Sequence, residues 1–488
     1  MTLITGRWVV LAGVIGLAGC AGTAPLSPQT GNWLAGPYVE ADPAQRQDLD
    51  IDRWRAVWRD PLLDHLLAKA AVANLDARLA WTRVQQARAG MRQLASRKAP
   101  DIEIEGSASD ERTGLPATVK SGNPDVRAYR GGLTLGWELD LWGAVDAAAQ
   151  AGKMDALAAE AGAEAVQWLA QHEVVRQYLI WQGARSRLEV LEQLVAADRE
   201  AEAVVRRRLQ EGMASAIDVA NREAERQQTA SQIPALKTLV NVTEHQLTLL
   251  VGEKPGALQD AFDRAPTGLP VAEALPIGMP IDLLRRRTDL IVAEHQFMAE
   301  TQRLRMADAD LWPKVFLGAA LGQQDLRLNG LDLAPARFSQ LALAFTFPLF
   351  NAGRLQAAVE QQSARQREAT LNYEKAVLQA LTDVENSLVV LRRQQQSQSQ
   401  LTAVWNARQD AEKRGERLFQ EGLMDPLQRI GLTKAQHAAR LSLTESALAV
   451  SLATLQLYRS LGGGWPDQGI ASLNRESSAP IHAHRSHP

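Results

Sequence analysis

The sequence contains two copies of one structural unit, and this duplication constrains the fold more than any single motif. The segment Leu135–Gly143 recurs 210 residues later as Phe345–Gly353, and Gly212 recurs at the same spacing as Gly422. A constant spacing over so long a stretch predicts that both copies fold into the same elements in the same order. The function should therefore follow from a tandem architecture and not from a single pocket.

Composition favours long helices over a compact aromatic core. Only 5% of the 488 residues are aromatic, and Ala, Gln, Arg and Glu dominate the long segments. Small side chains of this kind allow helices to pack closely. The formal net charge of -3 gives no reason to expect nucleic acid as a partner.

The N-terminus has the pattern of a lipoprotein signal peptide. Arg7 precedes an apolar run, Trp8–Leu17, which is too short to span a bilayer but suits a signal-peptide core. The run ends at Leu17-Ala18-Gly19-Cys20, which resembles the lipobox of bacterial lipoproteins, cleaved before the cysteine. We predict removal of residues 1–19 and lipidation of Cys20, with palmitate among its acyl chains. The alternative is an ordinary secretory signal that ends near a cysteine.

If the chain inserts into a membrane, it must use strands, because no other stretch is long and apolar enough for a transmembrane helix. Four segments of roughly 10 residues alternate between an apolar face and a smaller or more polar face, as tilted membrane strands do. The links 110–128 and 323–337 are rich in Gly, Pro, Asn and Asp, which is typical of hairpin loops. The alternative is two hairpins packed on a soluble core. The four apolar faces are Ile102, Ile104, Gly106 and Ala108; Leu133, Leu135, Trp137 and Leu139; Val315, Leu317, Ala319 and Leu321; and Leu341, Leu343, Phe345 and Phe347.

Two very long helices are predicted, because no proline interrupts Gly143–Glu211 or Gly353–Glu421. At 1.5 Å per residue, each would be a rod of about 100 Å. Apolar residues in both rods are spaced alternately by four and three, as in a coiled coil. An amphipathic helix on an ordinary core would not reach this length. The two seams are Ala147, Ala151, Met154, Ala158, Ala161, Ala165 and Trp168, and Val377, Leu381, Val384, Leu388 and Leu391.

Four shorter helices are predicted to stack end to end, two beside each long helix. In each copy the two short helices together are about as long as one rod, which would give a double-stranded column. Gly212 and Gly422 are then tight turns at the far end of the columns, and Pro426 lies in the first turn of a returning helix, where proline is tolerated. The predicted short helices are Leu62–Lys98, Ala214–Val251, Asp282–Leu311 and Leu423–Leu461.

With these elements in place, the chain resembles the TolC-like outer membrane factors, in their lipoprotein (NodT-type) branch. The resemblance covers nearly everything after the signal peptide, and its motifs occur in the family's order. One departure is Thr288, where the family usually has proline before Asp289. The motifs are Trp54–Leu62, Asn74–Asp76, Trp137–Gly143, Leu283–Asp289, Pro348–Leu355 and Leu461–Trp465.

The resemblance implies a mainly α protein with a membrane β-barrel, in which each protomer of a homotrimer gives four strands to a 12-stranded barrel and its helices to an α-helical barrel. Four strands cannot close a barrel alone, and an open edge in lipid leaves backbone groups unpaired. The predicted divisions are 1–19 signal peptide, 20–60 extended lipid-anchored segment, 61–254 first repeat, 255–280 linker, 281–465 second repeat and 466–488 polar tail.

By the same resemblance, the expected function is a passive exit duct in the outer membrane, with its helical body in the periplasm. The expected partners are a periplasmic adaptor protein, an inner-membrane RND-type pump and outer-membrane lipid. Ala21 follows the cysteine where Asp would favour retention in the inner membrane. No cofactor, metal or catalytic residue is expected. The alternative is the outer-membrane channel of a type I protein-secretion system, which shares the fold.

The expected adaptor contact is at the far helical turns, where the family carries an apolar residue three before the turn glycine. These positions are Leu209 with Gly212, and Phe419 with Gly422. They could equally be plain helix caps. Members of the family often close the periplasmic tip with an acidic residue, which is missing from this sequence. Asp425 is the candidate gate residue in its place.

Two other classes of protein remain as alternatives. An enzyme is not favoured, because the chain has no Gly-x-Ser-x-Gly, His-Glu-x-x-His or Gly-x-x-x-x-Gly-Lys motif. His482, His484 and His487 could bind a metal, but a polar tail is the simpler interpretation. A lipid-anchored coiled-coil scaffold without a pore would be distinguished by the absence of ion conduction in planar bilayers.

Overall fold

The computed structural model describes residues 28, 30, 33–34, 36–40, 58–112, 114, 116, 125–270, 280–328 and 331–462. The predicted signal peptide 1–19, Cys20 and the tail 466–488 lie outside these residues. The helices are α1 (Pro61–Ala73), α2 (Leu75–Ser96), α3 (Ala144–Gln210), α4 (Ala216–Ala230), α5 (Ile233–Leu250), α6 (Gln259–Arg264), α7 (Leu283–Arg286), α8 (Thr288–Ala309), α9 (Arg354–Gln420) and α10 (Pro426–Ser460). The strands are β1 (Asp101–Glu111), β2 (Val126–Leu139), β3 (Lys314–Leu328), β4 (Leu331–Asp332) and β5 (Ala336–Thr346).

The two long helices are confirmed. Helices α3 and α9 each have 67 residues, which corresponds to about 100 Å. Each begins after a glycine in the left-handed region, Gly143 with φ 77° and Gly353 with φ 81°. The Asp140 carboxylate accepts the N–H groups of Val145 (3.0 Å) and Asp146 (2.7 Å). It thereby satisfies two N–H groups that have no partner within the helix.

The prediction of unbroken helices over 62–98 and 214–251 is wrong. The first is interrupted at Asn74, whose side chain accepts the N–H of Ala77 (3.0 Å) and donates to the Leu250 carbonyl (2.9 Å). An asparagine that bonds to the backbone in this way ends one helix and caps the next. The second is interrupted before Pro234, which lies in the first turn of α5 and has no N–H to continue α4.

The predicted helix 282–311 is also divided, at Arg287. This residue is extended, with φ -79° and ψ 117°. Its guanidinium donates to the carboxylates of Asp289 (2.7 Å) and Asp383 (3.1 Å) and to the Ser460 carbonyl (3.2 Å). These bonds tie the break between α7 and α8 to α9 and to the end of α10. The fourth predicted helix, 423–461, is confirmed as the single helix α10.

Helix α3 lies at the centre of the helical body. The first-copy helices α1, α2, α4 and α5 pack along it, and so do α8 and α10 of the second copy, while α9 packs on α8 and α10. Short helices therefore line each long helix end to end, as predicted. The close approach is visible at Gly152 in α3, where an added Cβ would lie 2.7 Å from Leu94 Cδ1 in α2. None of the helices in the described ranges is both long and apolar enough to cross a membrane.

The main apolar core lies in the middle of the rods. Trp181 of α3 is fully buried between Tyr178, at 5.4 Å between ring centroids, and Phe262 of α6, at 5.1 Å. Its Nε1 donates to Glu244 of α5 at 3.0 Å. Aliphatic residues from both copies complete this core: Leu63, Leu66 and Leu67 from α1, Val377 and Val384 from α9, and Leu455 and Leu457 from α10. The two copies therefore share one apolar core at this level.

The strands form one antiparallel sheet in the order β1-β2-β3-β5, with β4 paired to the end of β3. The centre of the sheet joins the two copies, because β2 of the first copy pairs with β3 of the second along the whole length of β2. Ile102, Leu135, Ala319 and Leu341 are successive cross-strand partners. The four predicted apolar faces therefore combine into one face. The predicted hairpin loops are too long, since 126–128 and 323–328 belong to strands.

Candidate functional site

One end of the protomer is a sheet with two uncovered faces. The apolar face remains exposed, with Ile104 87% exposed and Phe345 78% exposed. The opposite face carries Glu103, Glu105 and Thr134, with small residues between them. Strands of 11 to 15 residues are long enough to cross a bilayer at a tilt. One apolar face and one polar face are what a wall between lipid and an aqueous lumen requires.

Aromatic side chains mark the junction between the sheet and the helices. Trp142 and Trp312 stack with ring centroids 5.1 Å apart, and Trp142 Nε1 donates to the Pro313 carbonyl at 2.7 Å. Trp137 Nε1 donates to the Lys98 carbonyl at 3.1 Å. Tryptophan is enriched where a membrane meets water, because the ring is apolar and the N–H is polar.

The opposite end of the protomer consists of two tight turns, at Gly212 and Gly422. Their φ angles are 73° and 75°, in the left-handed region predicted for them. At the first turn, Gly212 N–H donates to the Leu209 carbonyl and Met213 N–H to the Arg208 carbonyl; the same pair of bonds closes the second turn. This is the Schellman arrangement, in which glycine avoids the strain of a side chain at positive φ.

The residues predicted for partner contact lie at these turns but differ in exposure. Leu209 is 39% exposed, whereas Phe419 is half-buried with the Arg429 guanidinium 4.9 Å from its ring centroid. The apolar residues directly after the glycines are more open: Met213 is 67% exposed and Leu423 is 73% exposed. Sequence reasoning missed these two residues, although their position after a turn glycine could have indicated them.

Asp425, the candidate gate residue, joins the two turns within one protomer. Its carboxylate accepts the N–H of Leu427 (2.8 Å) at the start of α10 and forms an ion pair with Arg208 near the end of α3. Desolvation acts to raise its pKa, but the hydrogen bonds from Arg208 and from backbone N–H groups hold the pKa of Asp425 below its usual value. The carboxylate therefore stays charged near neutral pH.

A buried histidine in the helical body is a packing group. Burial lowers the pKa of His172 to about 4, and the charge of Arg459 acts in the same direction. The ring lies 5.6 Å from that of Trp168, measured between centroids. No group of three or more His, Cys, Asp or Glu that could hold a metal ion occurs among the residues that the structure describes.

The fold matches that of solved outer-membrane channels. The outer-membrane channel OprN superposes with a TM-score of 0.78 at 27% sequence identity, covering 88% of this chain and 97% of that chain. The fold and the two ends of the molecule therefore define an outer-membrane channel, in which a helical barrel continues a β-barrel.

The sequence profile of the outer membrane efflux protein family matches residues 66–253 and 279–463. The chain belongs to this family and is an outer-membrane efflux channel, as the sequence predicted. The cation efflux system protein CusC of Escherichia coli is 26% identical over 412 residues, which cover 84% of this chain and 88% of CusC. The toluene efflux pump outer membrane protein TtgI of Pseudomonas putida is 26% identical over 447 residues, which cover 90% of this chain and 94% of TtgI.

Proposed function

We propose that the protein is the passive exit duct of a tripartite efflux system, loaded by an inner-membrane RND-type pump through a periplasmic adaptor. The observation that carries this proposal is the separation of two exposed apolar surfaces. The sheet lies at one end of α3 and α9 and the turns at Gly212 and Gly422 lie at the other, about 100 Å away. The sheet suits the membrane, and the turns suit a protein partner in the periplasm.

The transport step requires no chemistry from this chain. A continuous polar lumen lets substrate diffuse outward once the pump has moved it, so the energy is supplied by the pump. CusC is named for cations and TtgI for toluene, and both are 26% identical to this chain. We therefore assign small toxic compounds as the substrate class and leave selectivity to the pump.

Deletion of the gene tests this function. Cells without the protein should accumulate a fluorescent efflux dye several-fold more than wild-type cells, and a plasmid copy should reverse the change. The profile of secreted proteins should stay the same. Lost secretion of one large protein with normal dye efflux would instead support the type I secretion alternative.

The edges of the protomer favour assembly into a closed ring. The sheet ends in β1 on one side and β5 on the other, and both edges must find partners in lipid. Exposed leucines lie on helices from both copies: Leu75 and Leu79 on α2, and Leu371 and Leu378 on α9. Two unlike edges make a head-to-tail contact, which closes as a ring. Three protomers give twelve strands, enough for a water-filled lumen.

Native mass spectrometry in mild detergent should therefore show a homotrimer, and electron microscopy should show a long helical body below a barrel. A stable monomer in the absence of detergent would contradict the proposal, because its apolar strand face and both sheet edges would then face water.

We also propose that Cys20 carries the lipid anchor. Each buried methylene contributes about 0.8 kcal/mol, so several acyl chains would hold the N-terminus in the membrane before the barrel inserts. Mass spectrometry of the mature protein should show a lipid-modified Cys20 as its first residue. Cys20→Ser should lower the amount of trimer in the outer membrane more than the transport per trimer. An unmodified N-terminus at another residue would refute lipidation.

A further inference from the structure

The apolar face of the sheet becomes basic at the end farthest from the helices. Pairing is one-to-one along β1, β2, β3 and β5, so residues opposite one another share a face. On β2 this face runs from Trp137 at the helical junction to Tyr129, which is 45% exposed, and continues with Arg127. Exposed arginines on three neighbouring strands follow the apolar residues of this face. Together they are called the outer arginine cluster: Arg127, Arg327 and Arg337.

The length of the apolar face places this cluster at the outer surface of the membrane. Trp137 and Arg127 are ten positions apart on β2, which corresponds to about 33 Å along a strand. At a tilt of about 40° the difference in height is about 25 Å, the height of the apolar band of a membrane barrel. The helical body lies on the periplasmic side, so Arg127 is level with the headgroups of the outer leaflet.

Two arginines of the cluster are close neighbours. Arg127 and Arg327 are direct cross-strand partners, which places their Cβ atoms about 5 Å apart, where like charges repel. Asp110 Oδ2 accepts a hydrogen bond from Arg127 at 3.1 Å and another from Arg112 at 3.2 Å, so two guanidinium groups share this carboxylate. Arg327 also lies opposite Asp332 of β4 in the register. An anion between Arg127 and Arg327 would relieve their repulsion.

The third arginine lies across β3 from the other two, with one acid between them. Arg337 is exposed and forms no ion pair with any residue that the structure describes. Asp325 shares the face and lies two positions along β3 from the partner of Arg127 and two from the partner of Arg337. A guanidinium group can donate two parallel hydrogen bonds to a phosphate, which a lysine cannot do.

We propose that the outer arginine cluster binds phosphate groups in the lipid headgroups of the outer leaflet. The ligand is a membrane lipid and not free phosphate, because the cluster continues the apolar face. Acyl chains that pack on Leu133, 42% exposed, and Leu341, 77% exposed, bring their headgroup to the level of the arginines. The inference depends on the orientation of the barrel in the membrane and not on what the duct carries.

The test measures binding of lipid A, a bacterial glycolipid with two phosphate groups, to purified trimers by native mass spectrometry in mild detergent. The double variant Arg127→Gln with Arg327→Gln should bind lipid A at least tenfold more weakly than the wild type. Arg337→Gln should weaken binding at least threefold. Lipid A from which both phosphates have been removed should bind the wild type as weakly as intact lipid A binds the double variant.

A matched control is Arg130→Gln, on the same strand as Arg127 but on the opposite face, where its guanidinium lies 4.1 Å from the ring centroid of Phe338. This variant should bind lipid A as the wild type does. Asp325→Asn removes a negative charge from the cluster and should strengthen binding at least threefold. That gain keeps the test informative if the double variant does not assemble, because a misfolded barrel would not bind lipid A more tightly.

Equal loss of binding in the Arg130 control, or unchanged binding in the assembled double variant, would overturn the proposal. Displacement of lipid A by millimolar inorganic phosphate would overturn the assignment to a lipid and indicate a site for free phosphate. A wild-type trimer that binds lipid A but conducts no ions in planar bilayers would overturn the proposed duct alone. The failures of the two proposals are therefore distinguishable.

Discussion

Cells that carry Met213→Asp with Leu423→Asp should lose resistance to the pump's substrates while retaining normal amounts of trimer in the outer membrane. Both side chains are largely exposed at the turns, so their replacement removes little packing within the protomer. Loss of a central apolar anchor can cost an interface about 2 kcal/mol or more, which is roughly thirtyfold in affinity. Two such losses at every tip should abolish adaptor docking.

The matched control exchanges the two residues, Met213→Leu with Leu423→Met, which keeps the apolar surface. It should export normally. The measurements are the minimum inhibitory concentration, cross-linking to the adaptor, and the amount of trimer on a non-denaturing gel. Full resistance in the double aspartate variant would show that the adaptor contacts the helical wall and not the turns.

Gly422→Asp and Phe419→Ala, both at the second turn, should also reduce export, each for a different physical reason. Gly422→Asp places a side chain at φ 75°, which costs roughly 1 kcal/mol or more but meets no atom within 4 Å. Phe419→Ala removes the ring that Arg429 covers. Both variants should assemble and export poorly.

Replacement of Gly322 by valine should prevent assembly of the barrel and remove the trimer from the outer membrane. An added Cβ at Gly322 would lie 2.3 Å from the Gly131 carbonyl oxygen and 2.7 Å from Gly132 Cα in the neighbouring strand. These are backbone atoms, so the two strands would have to move apart. The contact lies between β2 and β3, the pairing that joins the two copies.

Gly318→Val is the matched control, because Gly318 lies on the same strand and the same face. Its added Cβ would meet nothing closer than 3.9 Å. Trimer levels in isolated outer membranes should fall at least tenfold for Gly322→Val and stay near the wild-type level for Gly318→Val. Equal levels for both variants would show that the sheet adapts at Gly322 and that this close approach is not needed for closure.

The sequence by itself determined the tandem order, the two long helices, the four main strands and the tip glycines. These features depend on local rules: no proline interrupts 67 residues, side chains alternate along a strand, and glycine tolerates positive φ. Gly212 and Gly422 were found in this way, whereas Leu209 and Phe419 were identified from the family resemblance. Their role in adaptor docking stays a prediction.

Only the tertiary structure decided which segments meet. Asn74 and Arg287, at which two predicted helices are interrupted, also bond to the Leu250 carbonyl and to Asp383, which lie far away in the chain. The spacing of charges along α3 gave no sign that Glu189 would face Arg440. Helix and turn preferences act over a few residues, whereas these contacts form only after α3 and α10 have packed side by side. The conformation of each element therefore depends mainly on nearby residues, whereas the ion pairs that join the two copies depend on tertiary packing.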